Sequence, residues 1–131
     1  MKIAHALFCL AAGICFSAAV SAQTGEVKTK TTYVVDSKGK KVIDSKEERD
    51  DRGRVVKEYE YDDYGDLKKY YVYEYKGKKI ATELEYSASG KLKEKAVYEY
   101  NEAGKRTAKV YYDPAGKVIK KKVYEYTYYA D

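Results

Sequence analysis

The residue types that carry most enzymatic chemistry stand together in one short stretch. His5, Cys9 and Cys15, the only histidine and both cysteines of the chain, fall within the first 22 residues. Those residues form a removable leader, as argued below, and the remainder then has neither imidazole nor thiol. That excludes Ser-His-Asp and Cys-His nucleophiles, zinc sites of ordinary composition and thiol redox exchange. Carboxylates, lysine and tyrosine are left as actors. A glycosidase needs two carboxyls a few ångströms apart, one with a raised pKa. The acidic residues here fall in turns or opposite lysines, a solvated placement, so no catalytic residue is assigned and the chain reads as a non-enzyme. The acidic turns DDRG (50–53) and DDYGD (62–66) suggest calcium, but neither has the spacing of a twelve-residue calcium loop, and Arg52, Arg54 and Lys68 crowd them. No metal and no cofactor are expected.

One constellation suits binding rather than catalysis. Tyr75, Lys78, Tyr100, Arg106 and Tyr124 fall, by the strand register worked out below, in one row that alternates ring and cation across five adjacent strands. Such a row could stack on sugars and pair with an anionic polymer. The plainer reading is that cation–ring contacts, about 0.5–1 kcal/mol each, stabilise an exposed sheet face. Basic charge interleaved with tyrosine also raises nucleic acid as a partner. Glutamate alternates with lysine along the charged face, however, and only Lys117–Lys122 forms a basic run, so no continuous positive track appears.

The leader comes first among the elements that position these residues. Lys2, an apolar run from Ile3 to Val20 and then Ser21-Ala22-Gln23 have the layout of a secretory signal cleaved after Ala22. A retained membrane anchor fits less well, because the run is barely long enough and His5 interrupts it. Ile14 before Cys15 argues against a lipoprotein. Residues 1–22 are therefore read as signal and 23–131 as one domain, exported to the periplasm, the outer surface or the medium, with no membrane span after processing. Of the 26 Lys and Arg only Lys2 is lost, so the mature 109 residues carry 25 cations against 21 Asp and Glu. No disulfide staples this domain.

The domain repeats. Glycines at 39, 53, 65, 77, 90, 104 and 116 are separated by 12 to 14 residues, and six of them close the tetrapeptides DSKG, DDRG, DDYG, SASG, NEAG and DPAG. Asp, Asn or Ser at the first place and Gly at the fourth indicate a type I turn followed by a left-handed glycine, a hairpin connection. Lys76-Gly77 marks a shorter one. The intervening runs, rich in Tyr, Val, Thr and Ile and without helical period, predict eight strands in an all-β antiparallel meander of β-hairpin repeats.

Carrying each turn's register through its strands places thirteen of the seventeen tyrosines on one face: 33, 59, 61, 71, 73, 75, 86, 98, 100, 112, 124, 126 and 128. Leu67, Ile80, Leu84, Leu92 and Val118 join them. The other face then carries the pairs Glu60–Lys68, Glu74–Lys79, Glu83–Lys95 and Glu85–Lys93. Such a meander can close into an up-and-down barrel or stay an open twisted single-layer sheet. Lys28 and Lys30 on the first strand and Lys120–Lys122 on the last are the usual protection of exposed edges, which favours the open sheet.

The pattern Y-x-Y-D-x-x-G-x-L, present as Tyr59-Glu60-Tyr61-Asp62-Asp63-Tyr64-Gly65-Asp66-Leu67, resembles the YD-type repeats of Rhs and teneurin shells and extends in degenerate form over residues 32–126. The leader, the size and the Tyr/Lys/Gly usage also resemble small secreted Bacteroidetes repeat proteins of unknown function. The resemblance implies a β-hairpin repeat in an extracytoplasmic setting and implies no reaction. The expected function is a noncatalytic repeat module that binds a surface glycan or a protein through a tyrosine-rich face. The alternative is a structural protein that self-associates through sheet edges or faces.

Overall fold

The computed structural model describes residues 6–10, 14–18 and 26–131. Two five-residue strands, β1 (Ala6–Leu10) and β2 (Ile14–Ala18), pair as a separate hairpin near the N-terminus. The junction Ala22-Gln23 lies outside the described residues. Eight further strands form one antiparallel sheet in strict chain order: β3 (Thr29–Val35), β4 (Lys41–Arg49), β5 (Val55–Tyr61), β6 (Leu67–Lys76), β7 (Lys79–Ser87), β8 (Leu92–Tyr100), β9 (Arg106–Tyr112) and β10 (Val118–Val123). The first and last do not pair, so the sheet is open, and the barrel alternative is set aside.

The turns follow from their sequences. In each tetrapeptide the glycine N–H donates to the carbonyl of the first residue at 2.9–3.0 Å. In the four that start with a lone-pair-rich Asp, that side chain also accepts: Oδ1 of Asp36, Asp50, Asp62 and Asp113 each takes the N–H groups two and four residues on. The carboxylate thus does locally what a strand partner does elsewhere. Every turn glycine has positive φ, Gly104 at +78° and Gly116 at +88° among them, a region that a Cβ disfavours.

The register departs from the sequence reading in one systematic way. The pair beside each turn is as expected: Tyr112 faces Val118, Tyr100 faces Arg106, and Tyr86 faces Leu92. Then every hairpin slips by one residue. The unpaired extra residues are Asp44, Val56, Lys68, Ala81, Lys93, Thr107 and Ile119, each three to five positions after its turn glycine. These are β-bulges, which sharpen the twist and invert the side-chain alternation.

The consequence corrects the single tyrosine face. Beyond the bulges Tyr59 pairs with Tyr70 and Tyr70 with Tyr86, whereas Tyr71, Tyr73 and Tyr98 face Glu85, Glu83 and Lys109 on the other side. Tyr33, Tyr59, Tyr61, Tyr86 and Tyr112 therefore lie on one face with Tyr70, Val72, Leu84, Val97 and Val110. The opposite face carries Tyr71, Tyr73, Tyr75, Tyr98, Tyr100, Tyr111 and Tyr124. A slip of one residue per hairpin flips alternate strands, and that is the whole difference. The expected ion pairs move with it: Glu60 and Glu85 share Lys69 at 3.8 and 3.2 Å, and Glu83 takes Lys109 at 3.2 Å.

Among the described residues no second layer covers the sheet. Ala96, Ala108, Val110 and Tyr111, all on β8 and β9, are its buried apolar residues. On the first face the Tyr59–Tyr70–Tyr86 ladder stacks with centroid distances of 5.6 and 5.0 Å, contacts worth about 0.5–1.5 kcal/mol each.

Candidate functional site

The face that carries Tyr73, Tyr98 and Tyr124 is the chemically organised one. Its unit is not the single hairpin strand but the tetrapeptide VYEY, found at 72–75, 97–100 and 123–126, at intervals of 25 and 26 residues. Both tyrosines of each copy project to this face because they are two apart in extended chain, on β6 and β8 in the first two copies and just past β10 in the third. Their hydroxyls reach across to the preceding strand in a repeated way. The second tyrosine bonds a main-chain carbonyl: Tyr75 to Val55 (2.7 Å), Tyr100 to Ile80 (2.6 Å) and Tyr126 to Arg106 (2.5 Å). A cation from the start of that strand or its turn lies on each ring: Arg54 at 4.8 Å, Lys79 at 5.1 Å and Lys105 at 5.5 Å.

The first tyrosine of VYEY bonds a glutamate in two copies. Tyr73 donates to Glu58 (3.0 Å) and Tyr98 to Glu83 (2.5 Å). Burial, together with the adjacent carboxylate, pushes both phenols above their ordinary pKa, Tyr73 farthest. In the third copy the position equivalent to Glu58 and Glu83 is Lys109. Its ammonium turns back to Glu83 and lies 5.0 Å from the Tyr98 ring and 4.8 Å from Tyr111. Partial burial opposes the charge, but contacts with Tyr98, Tyr111 and Glu83 outweigh it and hold Lys109 above the ordinary lysine range.

Against this frame the row read from the sequence is partly assembled. Tyr75, Tyr100, Arg106 and Tyr124 share the face, and Tyr100 directly opposes Arg106. The Arg106 guanidinium sits 4.1 Å from the Tyr98 ring and 6.0 Å from Tyr124. Lys78 is not in the row. It lies exposed in the two-residue turn after Gly77, and the cation over Tyr100 is Lys79, which also donates to the Gly104 carbonyl. Tyr124 opposes Thr107, bonded through the backbone at 3.0 Å, because Ile119 bulges out.

Sequence reasoning missed Tyr98, Lys109 and Tyr111. The exact recurrence of VYEY was the signal that could have found the first two, since aligning on it sets Lys109 against two glutamates. Tyr111 is nearly enclosed and has three ammoniums about its ring: Lys120 at 4.4 Å, Lys109 at 4.8 Å and Lys122 at 5.7 Å. Among the described residues no group of three or more His, Cys, Asp or Glu gathers to hold a metal, and no helix is long and apolar enough to cross a membrane. No family model matches the chain, and no curated protein matches it.

Proposed function

We propose that the chain is a noncatalytic YD/Rhs-like repeat module that binds a surface glycan or a protein through the VYEY face after export. The observation that supports this is the threefold repetition of one anchored ring: Tyr75, Tyr100 and Tyr126, each fixed by its hydroxyl to a strand carbonyl and each capped by a cation. Rings held in place lose little freedom when a ligand lies on them, and repetition offers an elongated partner several equivalent contacts. The carboxylates of the face serve as acceptors: Glu58, Glu83 and Glu85 each take a tyrosine hydroxyl, a structural use of the groups that hydrolysis would need free.

The mature protein, screened against neutral glycans, acidic glycans and candidate proteins, should give hits that weaken in Tyr100→Ala and Arg106→Ala. Tyr100→Phe separates loss of the ring from loss of the Ile80 anchor. Binding that survives all three changes would remove the face from consideration. Export itself is checked by mass spectrometry of the extracytoplasmic chain, which should begin at Gln23; a product still carrying Met1 would contradict it.

Self-association is the competing reading, because among the described residues the outer edges of the terminal strands β3 and β10 have no strand partner. The lysines on those strands, Lys28 and Lys30 at one edge and Lys120–Lys122 at the other, set like charges against each other in edge-to-edge pairing. Sedimentation separates the two readings: a monomer at all concentrations favours ligand binding, and a concentration-dependent oligomer favours assembly.

A further inference from the structure

Resting on that reading of the VYEY face, we infer that its β9–β10 end is the recognition site for a linear acidic polysaccharide, held by Arg106, Lys109, Lys120 and Lys122 around Tyr111. Charge is distributed unevenly over the sheet. From Lys105 to Val123 there are seven Lys and Arg and a single acid, Asp113, whereas from Lys41 to Asp66 there are six Lys and Arg and ten acids. Within β9 and β10 this face carries Arg106, Lys109, Tyr111, Lys120 and Lys122, and Lys109 and Lys122 stand directly opposite each other. Like charges in that position destabilise a sheet. Among the described residues only Glu83 comes within ion-pair distance of the cluster, and it is engaged by Lys109 and Tyr98. Lys120 and Lys122, both exposed, make ring contacts with Tyr111 and no ion pair among the described residues.

Elsewhere on this face the acids are internally committed. Glu47 holds Arg49, Glu58 takes Tyr73, Glu60 and Glu85 share Lys69, and only Glu94, facing Glu85, stands apart. The uncommitted charge is positive and concentrated over two strands. A second copy of this chain has few free carboxylates on the same face to answer it. An extended anion would offset the Lys109–Lys122 repulsion and leave the rest of the sheet undisturbed. The rings choose between kinds of polyanion. Nucleic-acid strands gain most from exposed rings on which bases stack. Tyr111 is nearly buried, unlike the part-exposed rings of the VYEY copies, so the cluster around it offers charge and hydrogen-bond donors without a stacking surface of its own. Carboxylates or sulfates spaced along a sugar chain suit that arrangement.

The test uses the mature protein, immobilised polygalacturonate, a sulfated galactan, a neutral galactan and single-stranded DNA, over a salt series. The variants are Lys120→Ser/Lys122→Ser, and Lys121→Ser as control, since Lys121 points to the opposite face and pairs with Glu99 at 3.6 Å. The acidic glycans should bind, and the double variant should lose roughly tenfold or more in affinity, with the salt dependence reduced by roughly one to two released counterions. The control should be unchanged. Equal losses in the control and the double variant would reduce the effect to overall charge and overturn the inference. So would DNA binding as tight as glycan binding, an absence of acidic-glycan binding, or salt-reversible dimers that the double variant abolishes. A neutral glycan bound through Tyr100 alone would sink the inference and leave the broader reading standing. Acidic-glycan binding lost in Lys120→Ser/Lys122→Ser but not in Tyr100→Ala would do the reverse.

Discussion

Glu83 and Glu58 occupy equivalent places in successive repeats, yet removing their charge should have very different costs. Glu83 accepts from the Tyr98 hydroxyl and from the Lys109 ammonium, and the two charged side chains are only 18% and 14% exposed. Among the described residues Glu58 accepts only from Tyr73, and it stands directly opposite Glu47. A hydrogen bond to a charged group contributes about 1.5–3 kcal/mol. Glu83→Gln keeps the shape, weakens two such bonds and leaves Lys109 facing Lys122 without a counter-charge, so a loss of about 2–3 kcal/mol is expected. Glu58→Gln weakens one bond but relieves a like-charge pair that costs about 0.2–1 kcal/mol, for a net loss of about 1 kcal/mol or less. At about 4 °C per kcal/mol for a domain of this size, the melting temperature should fall by about 8–12 °C in the first variant and by less than about 4 °C in the second. Thermal melts followed by near-ultraviolet circular dichroism measure both. A cycle of Glu83→Gln with Lys109→Met should show a coupling of about 1 kcal/mol or more. Equal melting points for the two glutamine variants would refute the claim that position 109 changes what the carboxylate does.

Alkali should unfold the domain from about pH 10 upward. Tyr73 and Tyr98 are raised above 10.0 by burial and by their glutamates, and Lys69 and Lys109 are held above 10.5 by tyrosine and glutamate contacts. Below pH 10 both folded and unfolded chains keep these protons and stability is unaffected; above it the unfolded chain releases them first, so stability falls as pH rises. Phenolate absorbance should show a subset of tyrosines ionising only with unfolding, and a smooth titration near pH 10 with an unchanged melting point would contradict this. Valine at Gly104 or Gly116 should cost about 1–2 kcal/mol from positive φ alone, and Gly104→Val at least as much as Gly116→Val, because its Cβ falls where the Lys79 ammonium sits. Negligible effects from both in thermal melts would mean that the glycines do not hold the turns.

The strands and turns were legible because each rests on local chemistry: an Asp or Ser that accepts from its own turn, and a glycine that takes positive φ. The bulges were not. Asp44, Val56, Lys68, Ala81, Lys93, Thr107 and Ile119 share no side-chain property, so no residue type announces the slip. A bulge answers to the twist that the whole sheet must adopt, which turn-by-turn counting does not contain. The candidate row suffered from the same source. Tyr100 opposite Arg106 lies between turn and bulge and was placed correctly, whereas Lys78 and the Arg106–Tyr124 pairing lie beyond a slip or in a turn and were not.

The slip also explains how an uncovered sheet tolerates so much tyrosine. Thirteen rings on one face would demand a second layer or a partner, and the other face would be a lawn of charge with nothing to desolvate. One bulge per hairpin sends the tyrosines of alternate strands to opposite sides, so each face mixes rings with Lys, Arg and Glu. Long cationic side chains then lie over rings, Lys46 on Tyr59 of one face and Arg106 on Tyr98 of the other, and cover them with their aliphatic stems. Where a glutamate is adjacent, the phenol hydroxyl finds an acceptor and the cation a counter-charge in the same group, as at Glu83 and Glu85. Ring, cation and carboxylate together replace the apolar second layer. At Lys120 and Lys122 of β10 the carboxylate is missing from that combination among the described residues, and there the sheet retains positive charge over Tyr111.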